Sequence, residues 1–242
     1  MKQWNDLVND PLHPLTNKAI AGLYAPGSTF KMMVALAALE AGLVDAGTGF
    51  FCPGQLRLGD GLFHCWKRGG HGSQDLHAAI KNSCDVYFYQ VGIRIGLARF
   101  LEEGTRLGFG RKTGIDLPTE VRPIFPTGIE WMENWFGYPP AENEIMSLSI
   151  GQGAITWSPL KLAHTVVALA RPDARAPAPR LAQLDTAAPI TFELPSTPEQ
   201  IGFIRQGMRR VVGPGGTAWL TRLQGWDLLG KTGTSQNPHG ED

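Results

Sequence analysis

Apolar runs along the chain alternate with stretches rich in glycine and proline, and the longest such run lies in STFKMMVALAALEAGLV, starting at Ser28. Ser28 fits an N-cap and Gly42 a stop, which predicts a helix over 28–41. Its first ten positions are apolar nearly all round, as in a helix buried at the centre of a core. LHAAIKNSCDVYFYQVGIRIG (76–96) predicts two helices with a break at Asn82-Ser83, and ARFLEEGTRLGFG a short helix ended by glycine. PLKLAHTVVALA (159–170) predicts a helix with Pro159 in its first turn. TPEQIGFIRQGMRRVV (197–212) predicts another, with Thr197 and Gln200 spaced as a capping box and GPGG (213–216) as its breaker.

Between these segments the periodicity fades. Residues 1–27 read as loop with one short helix. Residues 44–72 read as irregular with short extended pieces, 110–145 as a long excursion, and 171–190 as a Pro- and Ala-rich linker. WDLLGKTGTS (226–235) reads as a short strand, and no internal repeat is present.

Composition narrows the function classes. With 22 Lys plus Arg against 22 Asp plus Glu, the formal net charge is zero, which argues against nucleic acid or an anionic membrane surface as the partner. At 43% hydrophobic residues there is material for a core, and 242 residues allow one large domain or two small ones. Three cysteines do not make a disulfide scaffold. The opening MKQWNDLVNDPLHP lacks the apolar segment of a signal peptide or anchor. The end, SQNPHGED, follows an apolar segment without a closing element, so the chain is expected to be a piece of a longer protein rather than a cytosolic one.

Three motifs carry candidate chemistry. Ser28-Thr29-Phe30-Lys31 places a hydroxyl and an amine one helical turn apart. A serine is a poor nucleophile until a base takes its proton, and a lysine serves if burial and the positive end of a helix dipole lower its pKa. At residue frequencies of roughly 6–7% each, about one such pair arises by chance. A second pair indeed exists, Ser158-Pro159-Leu160-Lys161, and for either the plain alternative is an N-cap with a solvated lysine. Ser83-Cys84-Asp85 says little alone. Lys231-Thr232-Gly233-Thr234 offers a cation, hydroxyls and a bare backbone for close substrate approach. Gly225 to Thr232 also fits the phosphate-loop pattern GxxxxGK[ST]. Its spacer is bulky and no helix is expected after the lysine, so the nucleotide reading is disfavoured.

In this order, with spacings of 55 and 148 residues, the three motifs resemble the serine-x-x-lysine, serine-x-asparagine/aspartate and lysine-threonine-glycine set of the penicillin-binding proteins. NKAIAGLYAPGSTFKMMVALAALEAG, HAAIKNSCDVYFYQVG, GIDLPTE, SIGQGAITWSPLKLA and GGTAW are similar to landmarks of the class B, elongation-type subgroup. The resemblance covers nearly the whole chain and assigns Lys161 to a structural helix, leaving Ser28 as the nucleophile.

It implies an α/β (α+β) transpeptidase fold shared with serine β-lactamases, an antiparallel sheet plus a helical lobe. Residues 1–242 would be the transpeptidase domain, incomplete at both ends: membrane anchor, pedestal and terminal strands are expected to be absent, which leaves the chain mostly helical. It implies a peptidoglycan D,D-transpeptidase acting on D-Ala-D-Ala stem peptides and bound covalently by β-lactams. Ser28 would attack, Lys31 take its proton and Ser83 relay a proton to the leaving D-alanine. Lys231 would set the electrostatics around Ser83, and Thr232, Gly233 and Thr234 would bind substrate. The amides of Ser28 and Thr234 would form the oxyanion hole. Asp85 stands where many members have asparagine; it would position Lys31 or bind the substrate amide. The resemblance further implies no cofactor for catalysis, a SEDS-type glycosyltransferase partner, no nucleic acid, and the periplasmic face of the inner membrane. A serine β-lactamase, a penicillin sensor of the same fold, or a non-catalytic fragment are the alternatives, and a fragment lacking strands is expected to acylate slowly.

Cys52, Cys65, His71 and Cys84 form a separate cluster in sequence. Three thiolates and an imidazole would close a tetrahedral zinc site, with His64, Asp60 and His77 as reserve ligands. The loop at 44–75 has little core of its own and would benefit from a clamp, and zinc near the second motif also resembles some elongation-type members. A Cys52–Cys65 disulfide, or three unrelated thiols, fit the same residues.

Overall fold

The computed structural model describes residues 2–45, 47–182 and 186–235. Two short helices, α1 (Lys2–Val8) and α2 (Lys18–Ala21), lead to the central helix α3 (Lys31–Glu40). Every residue from Lys31 to Leu39 is buried, as the all-round apolar pattern requires. The helix closes on a Schellman turn: the Gly42 N–H donates to the Leu39 carbonyl and the Leu43 N–H to the Ala38 carbonyl, with Gly42 at φ +64°. Ser28 does not cap this helix. It lies inside a 3-10 turn, Gly27–Phe30, preceding α3; Pro26 holds the capping position of that turn and Phe30 that of α3. The serine hydroxyl is thereby released from the helix end.

Four short strands follow, β1 (Phe50–Cys52), β2 (Gln55–Leu58), β3 (Gly61–His64) and β4 (Gly72–Gln74). They pair antiparallel as β1–β4 and β2–β3, with Phe50 opposite Gln74 and Gln55 opposite His64. Helices α4 (Leu76–Asn82) and α5 (Asp85–Ile95) break where expected, because Ser83 turns left-handed at φ 51°, ψ 42° and Cys84 caps α5. Helix α6 (Leu97–Arg106) closes this half.

The excursion at 110–145 contains a helix that was not expected, α7 (Ile129–Phe136), whose Met132 is buried against α6. Then come α8 (Glu144–Leu148) and α9 (Pro159–Ala170). The expected linker after α9 contains β5 (Arg175–Pro177), paired antiparallel with β6 (Ile190–Glu193). Three residues around an alanine are too short for a periodic signal; the ladder to β6 makes the strand. Helix α10 (Pro198–Val212) carries the capping box between Thr197 and Gln200.

Helix α3 packs against α5 and α10, α4 lies along α10, and α5 meets α8. Phe30 meets Phe100, Phe109 and Trp157 edge-on at 5.1–6.4 Å and ties the Ser28 turn to α6 and the segment before α9. The expected strand at 226–235 does not form: no neighbouring strand pairs with it among the described residues, and its Gly230 N–H reaches the Met208 carbonyl of α10 instead. Of the SQNPHGED end, only Ser235 lies within the described residues. Among those residues no helix is long and apolar enough to cross a membrane.

Candidate active site and cysteine–histidine cluster

The three motifs meet at a cavity of about 780 Å³ lined by Ser28, Ser83, Asp85, Thr232, Gly233 and Thr234, together with Trp66, Gln152 and Thr217. Its floor is a buried polar network. Lys31, fully buried at the start of α3, donates from Nζ to the Ser83 carbonyl (2.9 Å), to Ser83 Oγ (3.3 Å) and to Asp85 Oδ1 (2.6 Å). Lys231 donates from Nζ to the same Ser83 Oγ (2.8 Å) and to the Thr232 carbonyl (2.9 Å). With both lone pairs of Ser83 Oγ accepting, its own proton is left to donate elsewhere. Burial pulls Lys231 down to about 7, helped by the Lys31 charge and opposed by Asp85. Among the described residues the Ser28 hydroxyl makes no hydrogen bond.

Glycines allow the close approach that brings the first and third motifs together. The Gly27 N–H donates to the Gly151 carbonyl (2.9 Å), and a side chain at Gly27, φ +54°, would meet the Thr234 carbonyl at 2.5 Å. A side chain at Gly233 would meet Thr29 Cγ2 at 2.8 Å. The SIGQG loop and the 231–234 segment thus enclose the Ser28 turn from two sides. Thr217 Oγ1 lies 2.8 Å from Thr232 Oγ1 and brings the GGTAW segment into the same wall.

The second serine–lysine pair does something different. Ser158 Oγ accepts the Lys161 N–H (3.1 Å) as N-cap of α9. Lys161 Nζ points away to the Gly108 carbonyl (3.1 Å) and sits 4.2 Å from the centre of the Phe192 ring. Burial pulls this lysine down to about 7. The phosphate-loop reading of 225–232 fails on the same ground: no helix starts at Lys231, and its ammonium is spent on Ser83.

Cys52, Cys65, His71 and Cys84 converge, each offering one ligand atom, with those atoms all within 4.8 Å of one another. The thiols are free and buried, so the Cys52–Cys65 disulfide is not formed. His71 Nδ1 faces Cys65 Sγ at 3.4 Å and Cys52 Sγ at 3.7 Å. The neighbouring Cys84 thiol brings Cys65 down to about 5, while Cys65 and then burial push Cys84 up. The reserve ligands His64, Asp60 and His77 lie outside the cluster; the His77 ring packs on Phe203, 5.5 Å between centroids.

Trp66 was not singled out from sequence. It follows Cys65 directly and faces the cavity. Its main-chain N–H donates to Asp85 Oδ2 (2.9 Å) and its indole Nε1–H to the Asn82 carbonyl (3.0 Å). Thr217 and Gln152 were quoted within landmark segments but given no role; only their place on the cavity wall marks them.

Residues 2–241 match the family model described as penicillin binding protein transpeptidase domain. The chain is 35% identical over 245 residues to the peptidoglycan D,D-transpeptidase MrdA of Acinetobacter baumannii, covering 97% of the chain and 36% of that protein. The structure of a complex between penicillin-binding protein PBP2 and MreC from Helicobacter pylori superposes with a TM-score of 0.87 at 32% identity, covering 98% of this chain and 44% of that one. A structure titled for polymerization and crosslinking by a peptidoglycan synthase complex superposes at 0.86 with 27% identity, over 98% of this chain and 41% of that one.

Proposed function

The chain belongs to the penicillin-binding protein transpeptidase family, and we propose from its site that it is the catalytic part of a peptidoglycan D,D-transpeptidase of the elongation type. It spans 36% of the MrdA protein it matches, so the activity is proposed for the protein of which this chain forms part. The observation that carries the reading is the convergence of Lys31 and Lys231 on one hydroxyl, Ser83 Oγ, at 3.3 and 2.8 Å, beside the cavity that Ser28 lines.

Ser28 Oγ is the nucleophile, and its freedom from capping leaves it available to the carbonyl of a penultimate D-alanine. Lys31 must offer a lone pair to take the Ser28 proton. Lys231, held near 7, is the group able to receive a proton at neutral pH. Lys31 gives a proton to Ser83 Oγ as the Ser83 proton passes to Lys231, which frees the Lys31 amine to take the Ser28 proton; Ser83 then gives its proton to the departing D-alanine and is re-protonated by Lys231. Thr232 and Thr234, with Gly233 giving close approach, bind the terminal carboxylate. The Ser28 and Thr234 amides stabilise the oxyanion. An amine from a neighbouring strand resolves the acyl-enzyme, and a β-lactam leaves Ser28 blocked.

The test is covalent labelling of the full-length protein with a fluorescent penicillin. Label on Ser28, lost in Ser28→Ala, supports the reading; label elsewhere overturns it. Multiple turnover of a chromogenic cephalosporin would favour a β-lactamase instead.

The cysteine cluster we read as a structural zinc site. Its Cys3His donor set and the facing of His71 Nδ1 toward two thiols suit a closed tetrahedral ion, which would supply a clamp for the 44–75 loop and no reaction step. Native mass spectrometry is expected to find one zinc per chain, lost in Cys65→Ala and His71→Ala; a metal-free Cys52–Cys65 disulfide would sink this. Partners by the same reasoning are stem peptides and a SEDS-type glycosyltransferase at the periplasmic face of the inner membrane, in keeping with the synthase-complex relative.

A further inference from the structure

We infer that Trp66 is a positioning residue that carries the state of the Cys52/Cys65/His71/Cys84 cluster to the Ser83–Asp85 turn, so that a metal in the cluster sets how fast Ser28 is acylated. The inference rests on the transpeptidase and zinc readings above.

Trp66 stands between two structures that are also joined through Cys84 and through Gln74, which donates to the His71 carbonyl and accepts from the Asn82 side-chain amide. On one side it follows Cys65 in the chain, and its indole meets the His71 ring edge-on at 5.2 Å. On the other side its two N–H groups hold both flanks of Ser83: Nε1–H on the Asn82 carbonyl before it, the main-chain N–H on Asp85 Oδ2 after it. Trp66 is 60% exposed, so burial does not fix it; these two hydrogen bonds and its neighbour Cys65 do.

The turn it holds needs holding. Ser83 is a non-glycine residue at φ 51°, a conformation that persists only where surroundings impose it. Asp85 divides its two oxygens between Lys31 and Trp66. Without the Trp66 bond the carboxylate is free to rotate, and Lys31 moves with it. The loop that presents Trp66 is built from two-stranded pairs of three or four residues, which are marginal without added restraint. A metal drawing together Cys52, Cys65, His71 and Cys84 supplies that restraint, and its loss loosens Trp66 first. The aspartate of the second motif thus has its partner in this chain: it takes the register of Lys31 from the metal loop.

The experiment uses full-length protein with a fluorescent penicillin, separating the pre-covalent binding constant from the acylation step. Trp66→Phe keeps the ring against His71 and loses the indole N–H. The acylation step is expected to slow about threefold to tenfold, the size of one net hydrogen bond, with the pre-covalent constant unchanged. Cys52→Ser is expected to slow acylation in the wild-type background and to add less in Trp66→Phe, which keeps the main-chain bond to Asp85 and loses the indole bond to Asn82. Additive losses, or a change in the pre-covalent constant alone, would overturn the inference.

Should Cys52→Ser not fold, hydrogen exchange replaces the cycle. Stripping the metal with a chelator is expected to speed exchange across 82–86 in wild type, and to have a smaller further effect in Trp66→Phe, where the indole hold on the Asn82 carbonyl is already gone. Equal acceleration in both would refute the inference. A full-length protein that binds no zinc would overturn it together with the zinc reading. Labelling that survives Ser28→Ala would instead overturn the transpeptidase reading.

Discussion

Ser28–Lys31 and Ser158–Lys161 are the same pattern twice: a serine at a helix start, a lysine three residues on, and a lysine side chain with no exposure at all. At Ser158 the hydroxyl caps the helix, and the lysine ends against one carbonyl and an aromatic face. At Ser28 a 3-10 turn intervenes, the hydroxyl is free, and the lysine ends on Ser83 and Asp85 beside an open cavity. Burial alone therefore does not place a lysine among groups it can exchange protons with. What separates the pairs is whether the amine faces polar groups able to exchange protons with it.

The sharpest way to break this contrast is at the hydroxyls. Ser28→Ala is expected to abolish covalent penicillin labelling of the full-length protein, and Ser158→Ala to leave its rate unchanged. Equal effects in a gel-based labelling assay would erase the distinction. At the lysines, Lys31→Met should slow acylation at least about a thousandfold. Lys161→Met, which touches nothing in the cavity, should stay within about twofold of wild type.

The same pair predicts a pH effect on stability rather than on activity. Lys161 titrates at about 7 folded but at 10.5 in the unfolded chain, so between these values the unfolded chain binds more protons and stability rises with pH. Denaturant midpoints taken from pH 7 to 10 should show wild type gaining about 1–2 kcal/mol more than Lys161→Met. A parallel course for the two proteins would mean that Lys161 stays charged when folded. The smallest effect belongs to Ser158→Ala, where loss of the α9 cap should cost about 1 kcal/mol. A larger loss would give Ser158 a role beyond the cap.

Much of the fold was legible in the chain. Helices α9 and α10 start at the residues their proline and capping signals mark, and the break between α4 and α5 falls at Ser83. These signals are local: a cap or a period of apolar residues is satisfied within one turn. Helix α7 was hidden in a segment whose glycines and prolines dominate the pattern, and β5 exists only because β6 lies beside it. The strand expected at 226–235 failed for the same reason in reverse, since a strand needs a partner along its length and 226–235 has none among the described residues.

The sequence by itself determined which chemistry-bearing residues are present, that Lys31 lies in a buried helix, and that Ser28, Ser83 and Lys231 stand in the order of a transpeptidase. Tertiary structure alone decided that Lys31 and Lys231 share the Ser83 hydroxyl, that Lys161 is walled off against Phe192, and that Trp66 reaches Asp85. Residues as far apart as 31 and 231 meet only when helices pack and glycines such as Gly27 and Gly233 let backbones touch. That proximity is a property of the assembled core, to which no single stretch of sequence is sensitive.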